Sequence, residues 1–457
     1  MNNKFEEFKK SIKGKNIGVI GVGISNLPLI KFLAKNGARV TAYDKRSAEQ
    51  LGDTYRDLCG LGVSFSLGEN YLQTLSGEII FKTPGMRFDN PKLLEAQKNG
   101  AEITSEMELF AEFCPAEIIA VTGSDGKTTT TTLIHSMLVR EGYKTWLGGN
   151  IGTPLFCSLD EIREEDIVVL ELSSFQLHTM KKSPHVAVIT NISPNHLDMH
   201  KDYAEYIDAK KNIMKYQTED DILVVNNENE VTRKIGNEAK GIIRSFGYDS
   251  TCGIYAKDGF IKHGQENILK IGDIKIPGKH NVENYMAAIA AVGDKVSRET
   301  IEDVAKNFGG VEHRIEFVRE FDGVKYYNDS IATSPSRVIS GLRAFNKKII
   351  VIMGGSDKGN DMSEMVPDIL KYVKVLVLNG ATADKIYDTV TSFDGYNESG
   401  LKIIKTDVLE NALVEAKKAA QKGDVVSLCP ACPAFDQFKT FEYRGRKFKE
   451  LVNGFED

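Results

Sequence analysis

Positive charge is in deficit in this chain. Lysine and arginine number 58 against 64 aspartate and glutamate, a formal net charge of −6 over 457 residues, so a general nucleic-acid surface is not expected. Cysteine is sparse: six residues, with one CxxC, Cys429 to Cys432, and no second pair to complete a zinc site. A turn at a strand end is the simplest reading of that motif. No apolar run reaches the length of a membrane span, and "MNNKFEEFKK" lacks the apolar core of a signal peptide. Low-complexity tracts and short-period repeats are missing too. These absences point to a cytoplasmic protein with no membrane insertion.

What is present is ordinary globular composition, 41% apolar and 27% charged, in a chain long enough for two to four domains. One theme recurs three times: a β-branched run, a glycine turn, then a helical pattern. The openings are "NIGVIGVGISN" (16–26), "IIAVTGSDGKTTTTTLIHSML" (118–138) and "KIIVIMGGSDKGND" (348–361). Further buried-strand candidates follow each, among them 38–44, 166–172, 185–193, 221–227, 373–380 and 424–430. Strands alternating with helices predict parallel sheets in α/β domains. The expectation is three domains: a Rossmann-like one over 1–107, a central P-loop ATPase-like one over 108–310, and a second Rossmann-like one over 311–457. The junction "GGVEHRIEF" (309–317) marks the last boundary.

"TGSDGKTT" (122–129) resembles a phosphate loop but departs from G-x-x-x-x-G-K-[ST]. Val121 stands where the first glycine belongs, and the nearest upstream glycine is Gly123. Two readings are open. The plain one is a strand, a turn and a capped helix, which accounts for Gly126 and Thr128 but gives Lys127 no task. The other is a phosphate site: the helix N-terminus attracts anions, Lys127 reaches the β- and γ-phosphates, and the Thr128 hydroxyl ligates Mg²⁺. Five consecutive threonines are poor helix formers, which favours the second.

The shortened loop is similar to the ATP loop of the Mur ligase family, which also includes folylpolyglutamate synthase. These enzymes join a carboxylate to an amino acid's amine using ATP. The resemblance runs in order from about residue 16 to 446. It implies ATP contacts at Gly123, Ser124, Asp125, Gly126, Lys127, Thr128 and Thr129. Within "ELSSFQL", Glu171 resembles a magnesium ligand; the plain reading is a solvated strand-end glutamate. "NISPNHLDMH" implies a second ligand at His196, with Asn195 where an aspartate is common. "DAKKN" (208–212) implies that Lys210 is carbamylated by CO₂, giving an anion that helps hold Mg²⁺. A neutral amine must react, and burial lowers a lysine pKa; a solvated helix face is the plain reading. "HNVEN" (280–284) implies nucleotide contacts from Asn281 and Asn284, three apart on one helix face.

At the amino-terminal end Gly21 and Gly23 fit G-x-G, Asn26 replaces the third glycine, and Asp44 stands where a ribose-binding acid belongs. An NAD-dependent dehydrogenase is therefore the rival from another class. Against it stand the missing glycine and the second phosphate loop. The resemblance implies instead that this domain binds a uridine diphosphate substrate through Ile24, Ser25, Asn26, Asp44, Lys45, Arg46, Thr83, Pro84 and Gly85, with Asn150 at the muramoyl-peptide end. In the third domain it implies ATP contacts at Arg314 and Asp329 and amino-acid contacts at Thr333, Lys358, Ala434 and Phe441. Two departures touch the amino acid: Ile331 stands where the best-known members carry lysine, and Ala434 replaces a serine. The branch matched adds D-glutamate to UDP-MurNAc-L-Ala, with ATP and Mg²⁺ as cofactors, and a monomer is expected. A sibling ligase for another amino acid or a folate, and a non-catalytic nucleotide binder, are the remaining alternatives.

Overall fold

The computed structural model describes residues 3–23, 25–194, 199–345 and 347–456. Its strands form three sheets. The first holds β1 (Asn16–Ile20), β2 (Arg39–Asp44), β3 (Ser64–Leu67), β4 (Ile79–Phe81) and β5 (Glu102–Thr104). Their order is β3-β2-β1-β4-β5 and every pairing is parallel. This is the doubly wound pattern, in which strand order reverses between β1 and β4 and a ligand crevice lies beyond the carboxyl ends of those two strands.

The second sheet holds β6 (Glu117–Thr122), β7 (Thr145–Gly149), β8 (Ile167–Glu171), β9 (Val186–Ile189), β10 (Ile222–Asn226), β11 (Ile242–Gly247), β12 (Ile254–Lys257), β13 (Phe260–His263) and β14 (Glu266–Lys270). The order is β14-β13-β12-β11-β10-β9-β6-β8-β7. Only the β12–β13–β14 meander is antiparallel. β8 reads Ile-Val-Val-Leu-Glu and is buried throughout, the continuous apolar run of a strand covered on both faces. β6 sits between β9 and β8. The chain leaves β6 for one side of the sheet and later returns to the other, so the loop after β6 occupies a switch point.

The third sheet holds β15 (Glu316–Phe321), β16 (Val324–Asn328), β17 (Ile349–Gly354), β18 (Val373–Asn379), β19 (Lys402–Lys405) and β20 (Val425–Leu428). Its order is β15-β16-β20-β17-β18-β19, parallel except for the β15–β16 hairpin. The expected three-domain α/β architecture is therefore present. The chain forms two compact units. One runs through Lys270 and includes Glu283–Val304; the other comprises Ile271–Val282 and the chain from Ala305 onward.

The first two sheets share a core. Phe5, Phe8, Phe32, Phe113 and Phe156 form an aromatic knot, with Phe156 edge-on to Phe5 at 5.5 Å and to Phe32 at 5.4 Å. Phe32 belongs to the helix Asn26–Lys35 that follows β1, and Phe156 opens a turn between β7 and β8. Arg87 adds a polar tie, reaching Glu205 at 3.0 Å from the loop after β4. Its hydrogen bonds hold the Glu205 carboxyl down at about 2, against the opposing effect of burial. Phe156 is fully buried. Phe156→Ala is expected to cost about 3–5 kcal/mol, read as a lower denaturation midpoint in which both sheets of this unit still unfold together.

Candidate active site

The loop after β6 is shaped by two glycines that cannot be replaced. Gly123 has φ +149° and Gly126 φ +79°. A Cβ on Gly123 would collide with the Thr190 hydroxyl, and one on Gly126 with the Asn284 amide oxygen. The helix Lys127–Glu141 follows, with Gly126 as its N-cap and no side chain capping its first turn. It begins at Lys127, one residue earlier than the threonine run indicates.

The segment after β9 fixes the loop from the other side. Ser124 N–H donates to Asn191 O at 2.8 Å, and Asp125 N–H to Asn191 Oδ1 at 3.0 Å. Thr190 Oγ1 donates to Asp125 O at 2.6 Å. The Ser124 hydroxyl donates to Ser193 O at 2.9 Å and lies 3.0 Å from the Tyr206 hydroxyl. The first two amides of the loop are thus committed to Asn191, and the helix end presents the turn beyond them.

Two lysines converge on a single carbonyl. Lys127 Nζ donates to Gly123 O at 2.9 Å and to Ser124 O at 2.9 Å. Lys210, from the helix Tyr203–Lys215, donates to the same Gly123 O at 2.7 Å and to Thr122 Oγ1 at 3.4 Å. Lys210 is 2% exposed, with its amine 4.7 Å from the Tyr206 ring centroid. Burial, and then the charge of Lys127, push Lys210 well below the ordinary lysine range, while Glu171 and Asp125 pull the other way.

Glu171 ends β8 in register with Val121 and is 1% exposed. Its Oε1 accepts from Asn150 Nδ2 at 2.9 Å. Its buried Oε2 has no hydrogen-bond partner among the described residues. A buried carboxylate oxygen left without a donor is costly, and a hard cation satisfies it. Among the described residues no group of three or more His, Cys, Asp or Glu side chains is placed to hold a metal. A Mg²⁺ site here fits the usual arrangement of one or two protein oxygens completed by phosphates and water. His196 and Ile24 lie outside the described residues. Asn284 is 6% exposed and accepts from Thr130 Oγ1 at 3.3 Å; in the other unit Asn281 donates to Pro277 O at 2.5 Å.

In the first sheet Asp44 ends β2 and both its oxygens are engaged. Val22 N–H donates to Oδ2 at 2.7 Å, Arg46 N–H and Nε to Oδ1 at 2.9 Å each, and Arg46 Nη2 to Oδ2 at 2.7 Å. Asn26 is buried and donates to Ile20 O at 2.8 Å. Lys45 is exposed, 3.4 Å from Glu69. Ser25 caps the helix after β1 with no side-chain bond of its own. Thr83 packs beneath the glycine turn at Gly21, and Thr83, Pro84 and Gly85 line the loop after β4. Asp44 and Arg46 therefore brace the β1 turn, and Asn150 braces Glu171. The sequence locates this neighbourhood but does not separate the residues that brace it from those that face a ligand.

The third sheet gathers its candidates at the carboxyl ends of β16, β17 and β20. Asp329 is fully enclosed, accepting from Ile315 N–H at 3.2 Å and from Cys429 Sγ at 3.6 Å. Burial pushes its carboxyl up to about 7. Arg314 is exposed between His313 at φ +65° and Ile315 at φ +43°, a strained turn for a β-branched residue. Thr333 and Phe441 are half-buried, Lys358 is exposed on the loop after β17, and Ala434 is buried. Cys429 and Cys432 are free and buried. One residue the sequence reading missed ties these loops together. Arg444, 4% exposed, donates to Ser330 Oγ, Ser330 O and Cys432 O at 3.0 Å each, to Pro433 O at 3.3 Å and to Gly354 O at 3.4 Å. It lies one turn past Phe441 on an amphipathic helix, where a surface arginine is the default reading.

Family models match three successive stretches: "Mur ligase MurD-like, N-terminal domain" over 15–105, "Mur ligase middle domain" over 121–292, and "Mur ligase, glutamate ligase domain" over 313–432. The chain belongs to the Mur ligase family. It is 53% identical over 457 residues to the UDP-N-acetylmuramoylalanine–D-glutamate ligase of Clostridium perfringens, covering 99% of this chain and 100% of that one. It is 52% identical over 465 residues to the enzyme of the same name from Acetivibrio thermocellus, covering 100% of both. Among solved structures, the UDP-N-acetylmuramate-alanine ligase of Thermotoga maritima matches with a TM-score of 0.57 at 20% identity, over 96% of this chain and 99% of that one. Escherichia coli FolC in complex with ADP matches with a TM-score of 0.54 at 17% identity, over 76% and 94%. Both share the fold.

The bracing role of Asp44 has a pH signature. Burial alone would raise its carboxyl; the hydrogen bonds and charge of Arg46 and the Val22 amide outweigh burial and lower it from 3.8 to about 2. A depressed carboxylate stabilises the fold above its unfolded pKa and loses that contribution as pH falls through the folded one. Asp44→Asn is expected to cost about 2 kcal/mol at pH 7, with the gap between variant and wild type closing between about pH 4 and pH 2 in denaturation curves.

Proposed function

We propose that this chain is an ATP-dependent ligase that adds D-glutamate to UDP-N-acetylmuramoyl-L-alanine, a step in peptidoglycan precursor synthesis. The observation that carries the reading is the convergence of Lys127 and Lys210 on Gly123 O at the start of a helix, beside a buried Glu171. The full-length relatives at 52–53% identity support the same reaction. The proposed division at 107 and 310, supported by the separation of the strands into three sheets, gives the uridine diphosphate end to the first domain, ATP to the second and the amino acid to the third. Membrane insertion plays no part in the reading, since no described helix is long and apolar enough to cross a membrane. A cytoplasmic monomer is proposed, ATP and nucleotide sugars being cytoplasmic substrates.

The reaction needs no protein nucleophile. The substrate carboxylate attacks the γ-phosphate in line, ADP leaves, and the acyl phosphate is opened by the amine of glutamate, releasing phosphate. Lys127 and the partial charge of the helix N-terminus offset charge on the transferring group. Glu171, Thr128 and His196 are the proposed magnesium ligands, and bound Mg²⁺ would neutralise phosphate charge. Asn150 holds Glu171 in place. Asn281, Asn284, Arg314 and Asp329 are the proposed nucleotide contacts of their segments. In the third domain Lys358, Thr333 and Phe441 hold the amino acid on loops fixed by Arg444, with Ile331 and Ala434 contributing shape rather than charge. Phosphate release from ATP is expected to require both UDP-MurNAc-L-Ala and D-glutamate. Turnover with L-glutamate or another amino acid in its place would reassign the chain to a sibling ligase. Quenching of NADH fluorescence without phosphate release would favour the dehydrogenase.

Lys210 supports a second element of the reading. Its amine is buried beside a second lysine, so the neutral form is favoured, and a neutral amine adds to CO₂. A carbamate there, formed with release of one proton, places an anion next to Lys127. Lys210→Ala is expected to abolish turnover and to recover part of it with short carboxylic acids. Crystals of the active enzyme should show extra density on Lys210 Nζ; an unmodified amine in active, CO₂-equilibrated protein rules the carbamate out.

A further inference from the structure

Lys82 is the first residue after β4. It therefore stands at the carboxyl end of the strand that lies beside β1, where the order of the first sheet reverses. A small cleft opens there, lined by Lys82, Ser25, Asn26, Pro84, Glu106 and Gln176 among others. Lys82 is 2% exposed, and its backbone amide donates to Thr104 O at 2.8 Å. Its ammonium has no hydrogen-bond acceptor or salt-bridge partner among the described residues. The nearby carboxylates are engaged elsewhere: Glu108 accepts from Ser105 Oγ at 2.7 Å, and Glu106 from Phe156 N–H at 3.1 Å. Burial lowers the Lys82 pKa, and the charge of Glu108 opposes that only from a distance.

A buried cation with no partner is costly to the fold. Retaining one at a switch-point crevice makes sense when an incoming anion completes the pair. The same cleft receives the start of the helix Asn26–Lys35, whose cap residue Ser25 makes no side-chain bond. A helix N-terminus and a lysine facing one crevice form a diphosphate cradle. We propose that Lys82 grips the diphosphate of the nucleotide-sugar substrate, opposite the N-terminus of that helix. This rests on the proposed uridine diphosphate substrate and adds a specificity residue for its diphosphate. Thr83, Pro84 and Gly85 continue the same loop toward the uridine, so base and diphosphate would be read by consecutive residues.

Binding of UDP and UMP to the full chain, measured by calorimetry, separates the possibilities. Wild type is expected to favour UDP over UMP by about 10- to 100-fold. Lys82→Met should bring the two within a few-fold, leave UMP binding nearly unchanged, and raise KM for UDP-MurNAc-L-Ala while KM for ATP and for D-glutamate stay put. Lys82→Arg should keep most of the preference. A Lys82→Met protein that retains the UDP preference, or that loses UMP and UDP binding equally, overturns the proposal and leaves the ligase reading intact. Should Lys82→Met not fold, Lys82→Gln is judged by the same ratio. A wild-type chain that binds neither nucleotide overturns the uridine diphosphate reading and this proposal together.

Discussion

Two ammonium groups cannot comfortably share one carbonyl in a buried site. Lys127 and Lys210 both reach Gly123 O. Each has lost hydration to get there, and their charges repel. Loss of a proton from one amine, or the arrival of anions between them, relieves that repulsion. Lys210, the more enclosed, is the one that burial and Lys127 drive toward neutrality. Most of the central domain serves this arrangement. Gly123 must be glycine so that its carbonyl can face both amines beside Thr190. Tyr206 lies under Lys210 and bonds Ser124. Glu171 supplies opposite charge from the next strand. A phosphate chain with its cation is a natural occupant, because it brings negative charge to the place the fold has made electropositive.

The same logic repeats at the other sheets. Each gathers its candidate residues at the carboxyl edge, where strand ends splay and loops diverge. Each also uses a buried ionic group to fix those loops before any ligand arrives. Asp44 clamps the β1 turn through Val22 and Arg46. Arg444 gathers the loops after β16, β17 and β20 through five oxygens. Burial pulls its guanidinium down to about 10, yet its donors are matched by carbonyls and a hydroxyl, which limits the cost of enclosing it. Fixing loops in advance reduces the entropy lost when substrate binds.

The fold was legible where one period dominated. The β-branched runs at 166–172, 221–227 and 373–380 became β8, β10 and β18 because parallel strands covered on both faces are apolar along their whole length. The meander β12–β14 went unread. Its strands are only four or five residues long, too short for alternation to register, although Asp258-Gly259, at φ +52° and +80°, is a local hairpin signal. The site was legible as a set of positions and less so as a set of roles. Gly123, Gly126, Lys127, Lys210 and Glu171 do converge. Arg444 was unreadable, because its partners are backbone oxygens from loops distant in sequence, which leave no mark on the residues that carry them.

Ile331 and Ala434 illustrate the same limit from the opposite direction. As letters, they remove a cation and a hydroxyl from the proposed amino-acid site. In the fold, Ile331 is held through its backbone: its N–H donates to His313 O at 3.1 Å, and its carbonyl accepts from Arg337 at 3.0 Å. Ala434 is 1% exposed, and its carbonyl accepts the Phe438 amide at 2.8 Å. A position that works through its main chain tolerates a changed side chain so long as the backbone path is kept, and Arg444 keeps it here by binding Ser330 O on one side and Pro433 O on the other. Loss of a polar side chain at such positions therefore leaves the backbone path of these loops intact, with the exposed Lys358 on the adjoining loop.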